Sequence, residues 1–142
     1  MEQKVALVVG ANGVIGGNLV DYLSTLDDWQ IIGVSRRGGQ DTEDLRAGSS
    51  ISTKKVRYLV VDLLDPSDTQ AKLGALTEVT HVFYAAYQDR PSWSELVAPN
   101  VTMLRNVLDG VGGTALQHVS LMQGYKVYGA HLGPFETPAR ED

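Results

Sequence analysis

The stretch Val5-Ala6-Leu7-Val8-Val9-Gly10-Ala11-Asn12-Gly13-Val14-Ile15-Gly16 decides the fold. Its first five residues are apolar and partly β-branched, and Gly10 stops them. Such a run fits a strand covered on both faces, as in a parallel sheet. From Val14 the pattern turns helical, with Ile15, Leu19, Tyr22, Leu23 and Leu26 recurring at spacings of three and four. Between strand and helix lie glycines at 10, 13 and 16, a GxxGxxG spacing. Each has a mechanical reason in a loop that cradles a phosphate. Gly10 permits the tight turn, Gly13 lets backbone approach a pyrophosphate, and Gly16 lets the helix pack close to the strand. The helix start then offers unbonded N–H groups and a partial positive charge to the phosphates. The loop therefore predicts dinucleotide binding, with Asn12, Val14 and Ile15 beside the glycines as further binding residues.

Outward from that loop the chain repeats the same order. Ile31-Ile32-Gly33-Val34 reads as a second strand, Val56 to Val61 as a third, Val79 to Tyr84 as a fourth and Leu116 to Leu121 as a fifth. Residues 40–53 read as a polar loop with one short helix around Glu43–Ala47. Asp65-Pro66-Ser67 reads as a helix start, with Leu73 and Leu76 facing inward. Trp93 to Gly110 carries Leu96, Val97, Val101, Leu104, Val107 and Leu108, an amphipathic helix in which Pro99 marks a kink or a later start. Strands alternating with helices predict an α/β fold with right-handed crossovers, a doubly wound Rossmann sheet of order 3-2-1-4-5.

Composition bounds the function. The 142 residues suffice for one domain. A formal charge of −5 argues against non-specific nucleic-acid binding, which needs basic patches. No cysteine is present, which excludes disulfides and thiolate zinc sites. No segment is long and apolar enough to span a bilayer, and the first residues do not read as a secretory signal, so a cytoplasmic protein without membrane partners is expected. His81, His118 and His131 lack metal-ligand spacing and read as structural, so no metal is expected.

The end of the second strand selects the dinucleotide. NAD enzymes place an acid there to accept from the ribose 2′-OH. Here Ser35-Arg36-Arg37 has no acid, and guanidinium groups bind a 2′-phosphate in paired, charge-assisted bonds. NADP(H) is the expected cofactor. Asp62 and Leu63, after the third strand, fall beside the adenine in such a fold, where Asp62 can accept from the exocyclic amine. Tyr84-Ala85-Ala86 offers backbone to the nicotinamide side of the cleft.

Together these pieces resemble the extended short-chain dehydrogenase/reductase family (NAD-dependent epimerase/dehydratase-like). Val34-Ser35-Arg36-Arg37, Thr80 to Tyr84, Asn100 with Met103 to Leu108, Gln123 to Lys126 and Gly133 to Glu136 resemble its branch of progesterone 5β-reductase and iridoid synthase. The resemblance implies an NADPH-dependent oxidoreductase that delivers hydride to an enone C=C bond or a carbonyl. A non-catalytic NADP-binding sensor and a nucleotide-sugar epimerase or dehydratase are the alternative readings. The resemblance also implies that Lys126 is catalytic and holds the nicotinamide ribose. Its usual partner, the tyrosine of Tyr-x-x-x-Lys, is not matched: Met122 stands four residues before Lys126, and neither Tyr125 nor Tyr128 fits. That tyrosine is expected beyond Asp142. On this reading residues 1–121 are the NADP-binding Rossmann domain and 122–142 a truncated active-site loop segment. The C-terminal strands and the substrate region would then be missing. The fifth strand would be an open sheet edge through which copies of the chain could associate.

Overall fold

The computed structural model describes residues 2–37, 55–113, 115–124, 131–134 and 137. Among the described residues five strands and three helices follow one another as β1 (Lys4–Val9), α1 (Val14–Ser24), β2 (Trp29–Ser35), β3 (Val56–Val60), α2 (Pro66–Leu73), β4 (His81–Tyr84), α3 (Trp93–Gly110) and β5 (His118–Leu121). The strands form one sheet of order β3-β2-β1-β4-β5, and every pairing is parallel. This is the doubly wound Rossmann order expected from the sequence.

β1 lies at the centre because it is apolar on both faces. Val5, Leu7 and Val9 join a core with Leu73 of α2 and with Met103 and Val107 of α3. Ala6 and Val8 face the other way, against Val20 and Leu23 of α1 and Ile31 of β2. Its register sets Val8 beside Gly33 on one side and Phe83 on the other. The order of strands reverses at β1, so the strand ends on its two sides diverge and leave a crevice.

Element boundaries differ from the sequence reading where side chains or turns compete. β2 begins at Trp29, two residues before the expected start. β4 begins at His81, not Val79: the Val79 amide turns back to Leu76, and the Thr80 hydroxyl accepts from the Val5 amide at 2.9 Å. β5 begins at His118, because the Leu116 amide closes a turn on Gly113. β3 ends at Val60, one residue short of the expected limit, although the Val61 amide still reaches Ser35.

The helix faces needed the larger corrections. In α1 the buried face is Gly16, Val20, Leu23 and Ser24, while Ile15 and Tyr22 stand out in solvent. In α3 Met103, Val107 and Gly110 are buried, whereas Val97, Val101 and Leu108 are exposed. α3 starts at Trp93 and runs through Pro99. α2 forms as read: Asp65 accepts from the Ser67 and Asp68 amides at its start, and Pro66 follows. The short helix expected around Glu43–Ala47 lies outside the described residues. Among the described residues no helix is long and apolar enough to cross a membrane.

Candidate functional site

The glycine loop is held from both sides. The Gly10 and Ala11 amides both donate to the Val34 carbonyl at the end of β2, at 2.9 and 3.1 Å. Asn12 Nδ2 donates to Ser35 Oγ at 2.9 Å. Gly10 has φ of +85°, and a Cβ there would meet the Ala85 carbonyl group at 2.7 Å. Glycine at 10 is therefore required twice, by its turn and by the approach of the segment that follows β4. Gly16 is required by packing, since a Cβ would run into the Gly10 carbonyl oxygen.

Gly13 is different. A Cβ at that position would meet only the Gly10 carbonyl oxygen, at 3.4 Å, an ordinary contact. The protein's own packing does not demand a bare backbone there. Gly13 does line a cleft of about 340 Å³. A side chain at 13 would fill that cradle, so the residues present fit a phosphate-bearing dinucleotide.

The cleft opens at the crevice beside β1. Gly10, Asn12 and Gly13 form its floor. Val34, Ser35, Arg36, Arg37 and Leu63 form the wall on the β2–β3 side. Ala85, Ala86, Tyr87, Gln88 and Met103 form the wall on the β4 side. The sequence reading thus brings together Gly10, Asn12, Gly13, Ser35, Arg36, Arg37, Leu63, Ala85 and Ala86. Other expected residues sit elsewhere. Val14 and Ile15 are exposed beside the cleft, at the start of α1, and Gly16 is buried beneath the loop. Asp62 is exposed and does not line the cleft; its Oδ1 accepts from the Leu64 amide at 3.1 Å. The side chain of Tyr84 belongs to the core against α3, not to the cleft. Its hydroxyl is buried without a hydrogen-bond partner, and burial pushes it up to about 12. Lys126 lies outside the described residues, as do Tyr125 and Tyr128.

Val34, Tyr87, Gln88 and Met103 complete the walls and were not read from the sequence. Residues 87 and 88 continue the small-residue segment after β4, which was the available signal. Nothing in the spacing marks Met103. Two asparagines of α3 brace the walls. Asn100 accepts from the Gln88 amide at 2.9 Å and donates to the Gln88 and Leu96 carbonyls at 2.8 Å each. Asn106 Nδ2 donates to the Leu63 carbonyl at 2.9 Å. On α2, the Lys72 hydrogen bond and then the Asp62 amide hold the Asp68 carboxyl below its usual range.

Among the described residues no group of three or more His, Asp or Glu side chains could hold a metal. His81 and His118 are register partners at the starts of β4 and β5, on the rim opposite the cleft. The His131 ring lies tilted against that of Trp93, with ring centres 4.7 Å apart.

The chain is similar to several known proteins. The chain is 38% identical over 140 residues to the (S)-8-oxocitronellyl enol synthase CYC2 of Camptotheca acuminata, covering 94% of this chain and 33% of that protein. It is 37% identical over 139 residues to the 3-oxo-Delta(4,5)-steroid 5-beta-reductase of Arabidopsis thaliana, again covering 94% and 33%. The chain therefore spans about a third of the length of these relatives. Yeast methylglyoxal/isovaleraldehyde reductase Gre2, solved with NADPH, shares the fold at a TM-score of 0.65 and 22% identity, over 87% of this chain and 38% of that one. Residues 6–142 match the NAD dependent epimerase/dehydratase family, and the chain belongs to it.

Proposed function

We propose that the chain is the NADP(H)-binding part of an oxidoreductase that delivers hydride to an enone C=C bond or a carbonyl. One observation carries the reading: a cleft whose floor is the bare backbone of Gly13 and whose β2–β3 wall carries Arg36 and Arg37. The pyrophosphate would lie on the glycine loop, at the start of α1. The arginines would take the 2′-phosphate, which puts the adenosine on the β2–β3 side with Leu63 and the nicotinamide toward Ala85 to Gln88. When bound, the dinucleotide supplies the hydride. Of this chain's residues, Lys126 would hold the nicotinamide ribose, a role taken from the family resemblance. The similarity to an enol synthase and to a 3-oxo-Delta(4,5)-steroid 5-beta-reductase supports an enone as substrate class.

The arginines test the choice of cofactor. Replacing Arg36 and Arg37 by Ala should weaken NADPH roughly tenfold to a hundredfold, the usual worth of charge-assisted bonds, and change NADH little. Titration followed by nicotinamide fluorescence reads both constants. Equal losses for the two dinucleotides would defeat the assignment of the 2′-phosphate.

A further inference from the structure

We infer that Asn106 of α3 is a positioning residue for the adenosine wall of the cleft. The inference rests on the dinucleotide reading above, and it concerns a residue that does not line the cleft.

The loop between β3 and α2 carries Leu63, which is 5% exposed and walls the cleft. Its polar backbone groups are bonded mostly within its own neighbourhood. The Asp62 amide donates to Asp68 Oδ2 at 2.9 Å, and the Asp62 carbonyl accepts from the Thr69 hydroxyl at 3.0 Å. The Leu64 amide donates to Asp62 Oδ1 at 3.1 Å. These bonds hold the loop to itself and to α2, and none of them reaches α3. The bond from Asn106 Nδ2 to the Leu63 carbonyl comes instead from 43 residues away. It joins the loop to α3, the helix whose Met103 walls the same cleft from the β4 side. Beside the apolar packing of α2 on α3, Asn106 thus gives the backbone at Leu63 a direct, directional tie to the helix of the opposite wall. Without its donor, the carbonyl of a buried residue loses its partner and turns to seek water, and Leu63 moves with it.

The substitution Asn106→Asp keeps the shape and removes the donor. At neutral pH a carboxylate then faces a carbonyl oxygen; on acidification the protonated carboxyl can donate and remake the bond. The probe is adenosine 2′,5′-bisphosphate, which carries the adenosine half alone, titrated by calorimetry into the wild-type chain and the variant from pH 8 to pH 4.5. The expected ratio of variant to wild-type dissociation constants is about fivefold to tenfold at pH 8, the worth of one lost bond, and falls in acid in step with the protonated fraction of the new carboxyl. A ratio that stays at one throughout overturns the role. Should Asn106→Asp fail to fold, Asn106→Ser removes the reach without adding charge. It should lose a similar factor at every pH, and wild-type affinity in that variant also overturns the role. A wild-type chain that binds no adenosine 2′,5′-bisphosphate overturns the dinucleotide reading together with this one. Wild-type binding with unaffected variants overturns only the part given to Asn106.

Discussion

Gly10 and Gly13 are three residues apart in one loop, yet different demands keep each of them bare. Gly10 answers to the fold: its φ is positive, and a Cβ would meet the backbone at Ala85. Gly13 has room for a side chain in its own surroundings, so under the proposed function its bareness serves the ligand. The two alanine variants should separate these demands. Gly10→Ala should lower thermal stability, by about 1 kcal/mol or more from the strained backbone alone, with the contact added to that. Gly13→Ala should leave the melting temperature within a degree or two of wild type and weaken NADPH at least tenfold. Thermal melts with and without NADPH read both effects. A Gly13→Ala chain that melts early, or binds as before, would refute the division. The sequence identifies both glycines, since a GxxGxxG loop between strand and helix is a local pattern. It could not separate their duties, because Ala85 is 75 residues from Gly10 in the chain.

The strands were legible as continuous apolar runs; β4 and β5 start late where a turn or the Thr80 hydroxyl took over a bond, while β2 gains two residues at its start and β3 loses one at its end. Helix faces were less legible. Periodicity groups Val97, Val101 and Leu108 with Leu104 and Val107, but only neighbours decide which part of an apolar arc is covered. Here the core takes Met103 and Val107, packs Leu104 at its margin, and leaves Val97, Val101 and Leu108 exposed. Asn100 and Asn106 were equally opaque, because their partners lie 12 and 43 residues away.

The pairing of β4 with β5 carries its own pH dependence. Burial, then His118 and Lys4, hold His81 below its ordinary value of 6.5. Folding thus lowers the affinity of His81 for a proton. Its contribution to stability is complete above 6.5 and falls as the pH drops below that value, until the lowered native value is reached. Urea midpoints from pH 8 to pH 5 should decline across this window. His118→Gln removes the second of these causes and should lessen the decline, leaving the part set by burial. Parallel curves for the two chains would rule out the coupling.

At the scale of the molecule, one sheet and two helical layers build a cleft from segments spread between Gly10 and Met103. A ligand in such a cleft holds many elements at once, so its binding energy becomes folding energy. With NADPH at a hundred times its dissociation constant, the chain should gain about 2.7 kcal/mol, a rise in melting temperature on the order of 10 °C. NADH at the same concentration should raise it less. No shift with either dinucleotide would contradict the cleft as a binding site. The order of strands was legible because the β/α alternation allows few topologies. The wall made by Tyr87, Gln88 and Met103 was not, since it exists only once β4 and α3 are packed together.

All five strands run the same way, so every strand start lies on the rim facing away from the cleft. Lys4 and Lys55 stand on that rim, at the entries to β1 and β3, and no described lysine lines the cleft, whose described cations are arginines. Amine-reactive coupling to a sensor chip or resin at Lys4 or Lys55 would thus anchor the molecule by its back and leave the cleft facing the flowing solution.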